Sequence, residues 1–444
     1  MRFKNNFLLY FALGILGFSS CKSYFGNTNL NPDDTLAAGA NTTLTPIETT
    51  LSYTINGDIA RYTGIFDQHL DGNNRQFAGL QLYQFTGGDF NSPWDNLYLD
   101  CGNNIKAMEA ITDAKAANTY SGIARILEAH AIMTLTDFYG DVPYSQAFQG
   151  LKNTAPGYDK QADIYTAIFQ LLNDAKAKLL LKANAPAPGA DDIIYSGSAA
   201  QWTKYANVLG ARAYLHLGKV DAGNYAKALA ELAKGGFVSS ADDARFTYIT
   251  SPTQAAPMWQ YLNQRGDAEN GANYIALLTS YSDPRLKTYG PLFFNAAGDI
   301  VHPIFSNQAQ AVPLITFTEQ KFIEAECKFR GGDAPGALLA YRAAIKSSIV
   351  ESGATAAQAD AYILTTKVVP IAGIGLNEII TQKYLALYMQ AEAYLDWRRT
   401  GIPALKPNAG SAIPRRFLYP QTEINLNPST PKGVTLYDKV YLDK

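Results

Sequence analysis

The chain has 444 residues, 47% hydrophobic and 17% charged, with a formal net charge of −2. That is the composition of a folded globular protein, long enough for one large core or two smaller ones. It excludes a disordered chain, and the lack of a basic surplus argues against nucleic acid as a partner.

Arg2 and Lys4 precede an apolar run from Phe7 to Phe18. The run is shorter than the ~20 residues a membrane-spanning helix needs. A charged start, a short apolar core and small residues at Ser19 and Ser20 describe a secretory signal. Cys21 follows directly, as in a bacterial lipoprotein box, with Phe18 where Leu, Val or Ile is usual. Acyl chains on Cys21 would anchor the chain, each buried CH₂ contributing ~0.8 kcal/mol. Ser23 to Asp34 is polar, carries Gly, Asn, Asp and Pro, and reads as a tether. The expected divisions are a signal at 1–20, anchor and tether at 21–35, and a single domain at 36–444.

Helical periodicity begins in "NLYLDCGNNIKAMEAI", where Leu97, Cys101, Ile105, Met108 and Ile111 share a face. In "SGIARILEAHAIMTLTDFYG", Ala124, Leu127, Ala131, Leu135 and Phe138 do so, and Gly140 marks the stop. "DIYTAIFQLLNDAKAKLLL" aligns Ile164, Ile168, Leu171, Ala175 and Leu179. "SAAQWTKYANVLGARAYLHLGK" opens on Ser198 as N-cap and carries Trp202, Tyr205, Leu209, Ala213 and His216. "DAGNYAKALAELAKGG" is a shorter unit. "TEQKFIEAECKFRGGDAPGALLAYRAAIKSS" reads as two helices joined at Gly331-Gly332. "LNEIITQKYLALYMQAEAYLDWRRTG" reads as one long helix ending at Gly401. Alanines recur at contact positions (124, 131, 213, 334, 337), the packing habit of tetratricopeptide hairpins. Residues 52–94 and 235–313 lack sustained periodicity, and long irregular connections are usually functional.

The cysteine at 21, "LNPDDTL", "ILEAHAIMTLTDFYGDVPYSQAF", "WTKYANVLGARAYLHLGK", "YSDPRLKTYGPL", the 376–405 segment with "WRRTGIP", and "IPRRFLYPQTEINLN" occur in this order. Together they resemble the SusD/RagB outer-membrane lipoproteins of Bacteroidetes, over nearly the whole mature chain. The resemblance implies a mainly α fold: a tetratricopeptide-like bundle of about four helix pairs, with long irregular loops and a few short strands. It also implies a lipid-anchored protein of the cell surface that binds a nutrient, often a glycan and sometimes a peptide. Such a protein passes its ligand to a SusC-type TonB-dependent transporter and performs no chemistry. The alternative is a helical-repeat interaction scaffold, or a peptide-binding uptake lipoprotein.

A sugar binder needs flat aromatic faces beside amide, carboxylate or guanidinium groups. "MWQYLNQRGDAENGANY" offers Trp259 and Tyr261 for stacking, with Asn263, Arg265 and Asp267 for hydrogen bonds. "HLDGNNRQFAGLQLYQ" offers Asn73, Asn74, Arg75 and Phe77. Trp94, Trp202 and Trp397 read as core. Arg398 and Arg399 suit a helix C-terminus, and Arg415 and Arg416 a brace on the bundle. The histidines are His69, His130, His216 and His302. There is no His-Glu-x-x-His, no Gly-x-Ser-x-Gly and no phosphate-cradling glycine loop. A glycosidase would need two carboxylates facing one cleft, which is a matter of tertiary structure. No cofactor or metal is expected: "DGNNRQ" lacks calcium-loop spacing, and no Cys-x-x-Cys occurs. Cys101 and Cys327 suit either two buried thiols or an extracellular bridge.

Overall fold

The computed structural model describes residues 39–181, 186–251, 254–290, 293–294, 300–301 and 307–443, with backbone alone at 263–264, 293–294 and 300–301. The signal at 1–20, Cys21, the tether and His302 lie outside the described residues. Residues from Ala40 onward make one compact unit.

Helix α1 (Ala40–Thr54) runs through a π-helical turn at Ile55–Ile59 into α2 (Ala60–Phe66). Periodicity alone leaves residues 52–66 without a helix, and this is corrected. The segment is buried on almost every side, and buried Asn56, Asp58 and Arg61, with Gly57 and Gly64, interrupt its apolar spacing. Two of its polar side chains bond back to the helix: Asn56 donates to Ser52 C=O at 3.2 Å and Thr63 to Ile59 C=O at 2.9 Å.

Then follow α3 (Asn103–Ala114), α4 (Asn118–Tyr139), α5 (Gln161–Leu180), α6 (Ala199–His216) and α7 (Gly223–Ala233). After the second irregular region come α8 (Phe317–Arg330), α9 (Ala334–Glu351), α10 (Leu376–Ala386) and α11 (Ala391–Thr400). Four hairpins pair α4 with α5, α6 with α7, α8 with α9, and α10 with α11. They stack in turn, α5 on α6, α7 on α8 and α8 on α10. Ala124, Ala213 and Ala337 sit fully buried at these contacts. At Gly122 the approach of α5 is so close that a Cβ would fall 2.7 Å from Leu179 Cγ. Ser198 caps α6 by accepting from Gln201 N–H, and Gly140 ends α4 with φ +80°.

The long helix expected over 376–400 is broken into α10 and α11, with Met389 in the left-handed region (φ 58°). His69 holds the break: its Nδ1 accepts from Met389 N–H and its Nε2 donates to Tyr384 C=O, both at 3.2 Å. Arg399, at the end of α11, is a buried anchor more than a dipole partner, bonded to Glu326 of α8 and to Asp396. Arg398 pairs with Asp443 at 2.9 Å. Arg416 bonds Tyr139 C=O, bracing the C-terminal segment as expected. Cys101 and Cys327 are free and buried.

Three two-stranded antiparallel ladders fasten the irregular regions: β1 (Leu70–Gly72) with β3 (Ala268–Asn270), β2 (Ala244–Thr247) with β6 (Ala311–Ile315), and β4 (Phe293–Phe294) with β5 (Ile300–Val301).

Candidate functional site

The β1–β3 ladder sets Gly72 opposite Ala268 and so brings the two irregular regions together at one corner. Asp267 C=O accepts from Asn73 N–H (3.0 Å) and Asn74 N–H (3.2 Å). Its carboxylate is buried and serves two guanidiniums: Arg75 through Nη1, and Arg265 through Nε and Nη2 at 2.7 Å. Arg75 has left-handed backbone, φ 50°, and its side chain remains 65% exposed. A non-glycine residue held there costs ~1–3 kcal/mol, strain that recurs at ligand sites.

Beside this corner Tyr261 is half-buried, on the π-helical turn Gln260–Arg265. Its hydroxyl donates to Asp58 Oδ1 at 3.2 Å, and the Arg61 guanidinium lies 4.3 Å from its ring centre. Arg61 also donates to Asp58 Oδ1 (2.7 Å) and to Tyr62 Oη (2.8 Å), while its buried Nε has no partner among the described residues. Burial, offset by Arg61, pushes the Tyr62 phenol up to about 12.

The two sequence-derived sets thus meet, but not as an open row. Asn73, Asn74, Arg75 and Arg265 are exposed and Tyr261 is half-buried. Phe77 is buried beneath them, 6.1 Å from the Tyr261 ring, so it is a floor and not a stacking surface. Asp267 is occupied by the two arginines. Trp259 is half-buried against another cluster, Phe246, Tyr248, Ala256 and Val312. The side chain of Asn263 lies outside the described residues. Asp58, Arg61 and Tyr62 join the candidate site, and periodicity passed over them. Their one local signal is the Asp58/Arg61 spacing, an i,i+3 pair on a helix.

Trp94, Trp202 and Trp397 are core, as expected. Among the described residues no group of His, Cys, Asp and Glu is arranged to hold a metal, and no helix is long and apolar enough to cross a membrane.

A family model described as starch-binding, associating with the outer membrane, matches residues 32–420. The chain belongs to the SusD-like family. This SusD-like chain shares its fold with a chitin-binding protein at 22% identity and TM-score 0.77, over 91% of this chain and 100% of the other. A SusD/RagB family protein from Bacteroides thetaiotaomicron gives 22% and 0.77, over 92% and 99%. A chitin-binding SusD homologue from Flavobacterium johnsoniae gives 19% and 0.76, over 91% and 98%. At such identities the likeness is one of fold. No curated protein matches the SusD-like chain in sequence.

Proposed function

We propose that this SusD-like protein binds a carbohydrate at the corner formed by residues 72–76 and 259–267, and delivers it to a SusC-type TonB-dependent transporter in the outer membrane. In this reading it is held at the outer face by lipid on Cys21 and carries out no turnover. The observation that carries the reading is the pairing of a half-buried Tyr261 ring with exposed Arg75, Arg265, Asn73 and Asn74 on two loops fastened by one ladder. A ring to stack on, with donors on either side, suits a sugar's apolar face and its hydroxyls. The family description and the two chitin-binding neighbours support a glycan over a peptide.

The test is calorimetric titration with maltooligosaccharides, chitooligosaccharides and short peptides, on the wild type and on Tyr261→Ala, Trp259→Ala and Arg265→Ala. The expected result is binding of one glycan class, weakened by ~1–3 kcal/mol on losing an anchor residue. Unchanged affinity in all three variants would remove the corner as the site. Peptide binding without glycan binding would remove the carbohydrate reading. In the native host, a large β-barrel should co-purify from detergent-solubilised envelope, and Cys21→Ala should abolish incorporation of radiolabelled fatty acid.

A further inference from the structure

A second concave site shares no residue with the loop corner. It is a cleft of about 240 Å³, set between Trp94–Asn103, the loop Pro143–Pro156 and Glu423. Its walls are aromatic. Trp94 and Tyr98 lie 4.7 Å apart, and Tyr98 and Phe148 5.9 Å. Asp95, Asn103, Asn153 and Glu423 supply polar groups, and no lysine or arginine is among the lining residues.

Phe148 is held at this wall against its own backbone preference. Its φ is +59°, in the left-handed region. Its ring also rests where only a glycine leaves room: a Cβ on Gly102 would come 2.3 Å from Phe148 Cε1. Such strain persists only where the surroundings over-determine it, and it clusters at ligand sites. The loop carrying Phe148 is stiff. Asp159 Oδ2 accepts from Tyr144 N–H (2.8 Å) and Ser145 N–H (2.7 Å), and Gln146 Oε1 accepts from Gly157 N–H (3.1 Å).

The carboxylates have capacity to spare. Asp95 is half-buried and its carboxylate makes no hydrogen bond among the described residues. Glu423 accepts through Oε2 alone, from Tyr158 Oη at 2.9 Å and Asn427 Nδ2 at 3.2 Å. Ionised carboxylates only accept, so they call for a ligand rich in donors. Hydroxyl groups beside a flat apolar ring face meet both requirements.

We propose that this cleft is a second carbohydrate site, taking one ring of a neutral sugar with its apolar face toward Phe148 and its hydroxyls toward Asp95 and Glu423. Two carboxylates with no lining cation would repel a uronate or a sulfated ring. The proposal rests on the carbohydrate reading above but not on the loop corner being its site.

The test is titration of the full mature protein with maltotetraose, chitotetraose and tri-galacturonate, followed by calorimetry and by NMR of the sugar. The variants are Phe148→Ala, Gly102→Ala and Asp95→Asn, with Tyr261→Ala to silence the corner. The expected result is two binding steps for one neutral oligosaccharide and none at the cleft for the uronate. Phe148→Ala, Gly102→Ala and Asp95→Asn should each weaken one step at least tenfold and leave the Tyr261-dependent step unchanged. Asp95→Asn keeps size and shape, so it guards against loss through misfolding, and circular dichroism checks all four. Both steps intact in folded Phe148→Ala and Asp95→Asn would overturn the second site while leaving the corner standing. Lysine amide is titrated alongside the sugars, and its binding at the cleft while no neutral sugar binds there would make the cleft a cation site and overturn it as a sugar site. No binding of any oligosaccharide would sink both readings.

Discussion

Arg61 and Tyr261, 200 residues apart in the sequence, share one carboxylate: both donate to Asp58 Oδ1, at 2.7 Å and 3.2 Å. The guanidinium therefore backs the ring that is proposed to meet ligand. Arg61→Ala leaves Asp58 buried without its cation, and losing one partner of such a pair costs ~3–5 kcal/mol. Arg61→Lys keeps the charge but loses the planar fork. Chemical denaturation should rank stability as wild type, then Lys, then Ala, and glycan affinity should follow the same order.

Asp267 ties Arg75 and Arg265 across the two loops. Both arginines reach solvent, so Asp267→Ala should cost less than a fully buried pair, ~1–3 kcal/mol. The larger effect should be local. Hydrogen exchange should rise at residues 72–76 and 264–268 while α4 and α6 stay protected.

Arg399 is the buried counter-ion of Glu326 and Asp396, and its field, working against burial, holds the Glu326 carboxyl down to about 2. Arg399→Ala should destabilise by ~3–5 kcal/mol. Replacing Arg399, Glu326, Asp396 and Lys383, whose ammonium pairs with Asp396 at 2.6 Å, together with apolar residues should recover much of that loss. Urea denaturation midpoints distinguish the two.

Two buried histidines of the bundle titrate in opposite senses. Burial alone would lower His216, but Glu392 and Asp137 outweigh it and hold it up to about 9. The stabilisation by charged His216 is complete below pH 6.5, its unfolded value, and is lost as pH rises from 6.5 to 9. Burial and then Arg212 lower His130 to about 3. Its contribution is complete above pH 6.5 and is lost as pH falls toward 3. Thermal melts should therefore peak near pH 6.5. His216→Gln should flatten the alkaline limb, and His130→Gln part of the acid limb.

Glu48 of α1 is buried and accepts from Ile193 N–H at 3.0 Å. Burial and then Asp192 raise its carboxyl to about 10, so it is protonated in the folded state. That stabilisation is complete below pH 4.5 and lost as pH rises through 10. Glu48→Gln keeps a donor without a titrating proton. Its melting temperature should exceed that of the wild type at pH 8, with the gap closing toward pH 4.5.

The hairpin helices were legible because their apolar residues recur at helical spacing, even in α4, which is buried all round except at Arg125. Ala124 to Phe138 and Trp202 to His216 repeat at helical spacing, and Ser198 and Gly140 mark their ends. In 52–66 buried Asn56, Asp58 and Arg61, with Gly57 and Gly64, interrupt the apolar spacing, and so the segment read as loop. The break at Met389 was equally silent, because the group that accepts its N–H is His69.

The sequence by itself determined the helical class and the family, and it picked out the two segments proposed as a ligand face. Local periodicity, caps and composition act over a few residues and survive in a linear reading. The tertiary structure alone decided which members of those segments face outward. Phe77 went under the corner and Asp267 into a double ion pair, while Asp58 and Arg61 arrived from a helix with no visible stripe. Burial and charge pairing are set by residues hundreds of positions away, and that is the physical reason no local pattern displays them.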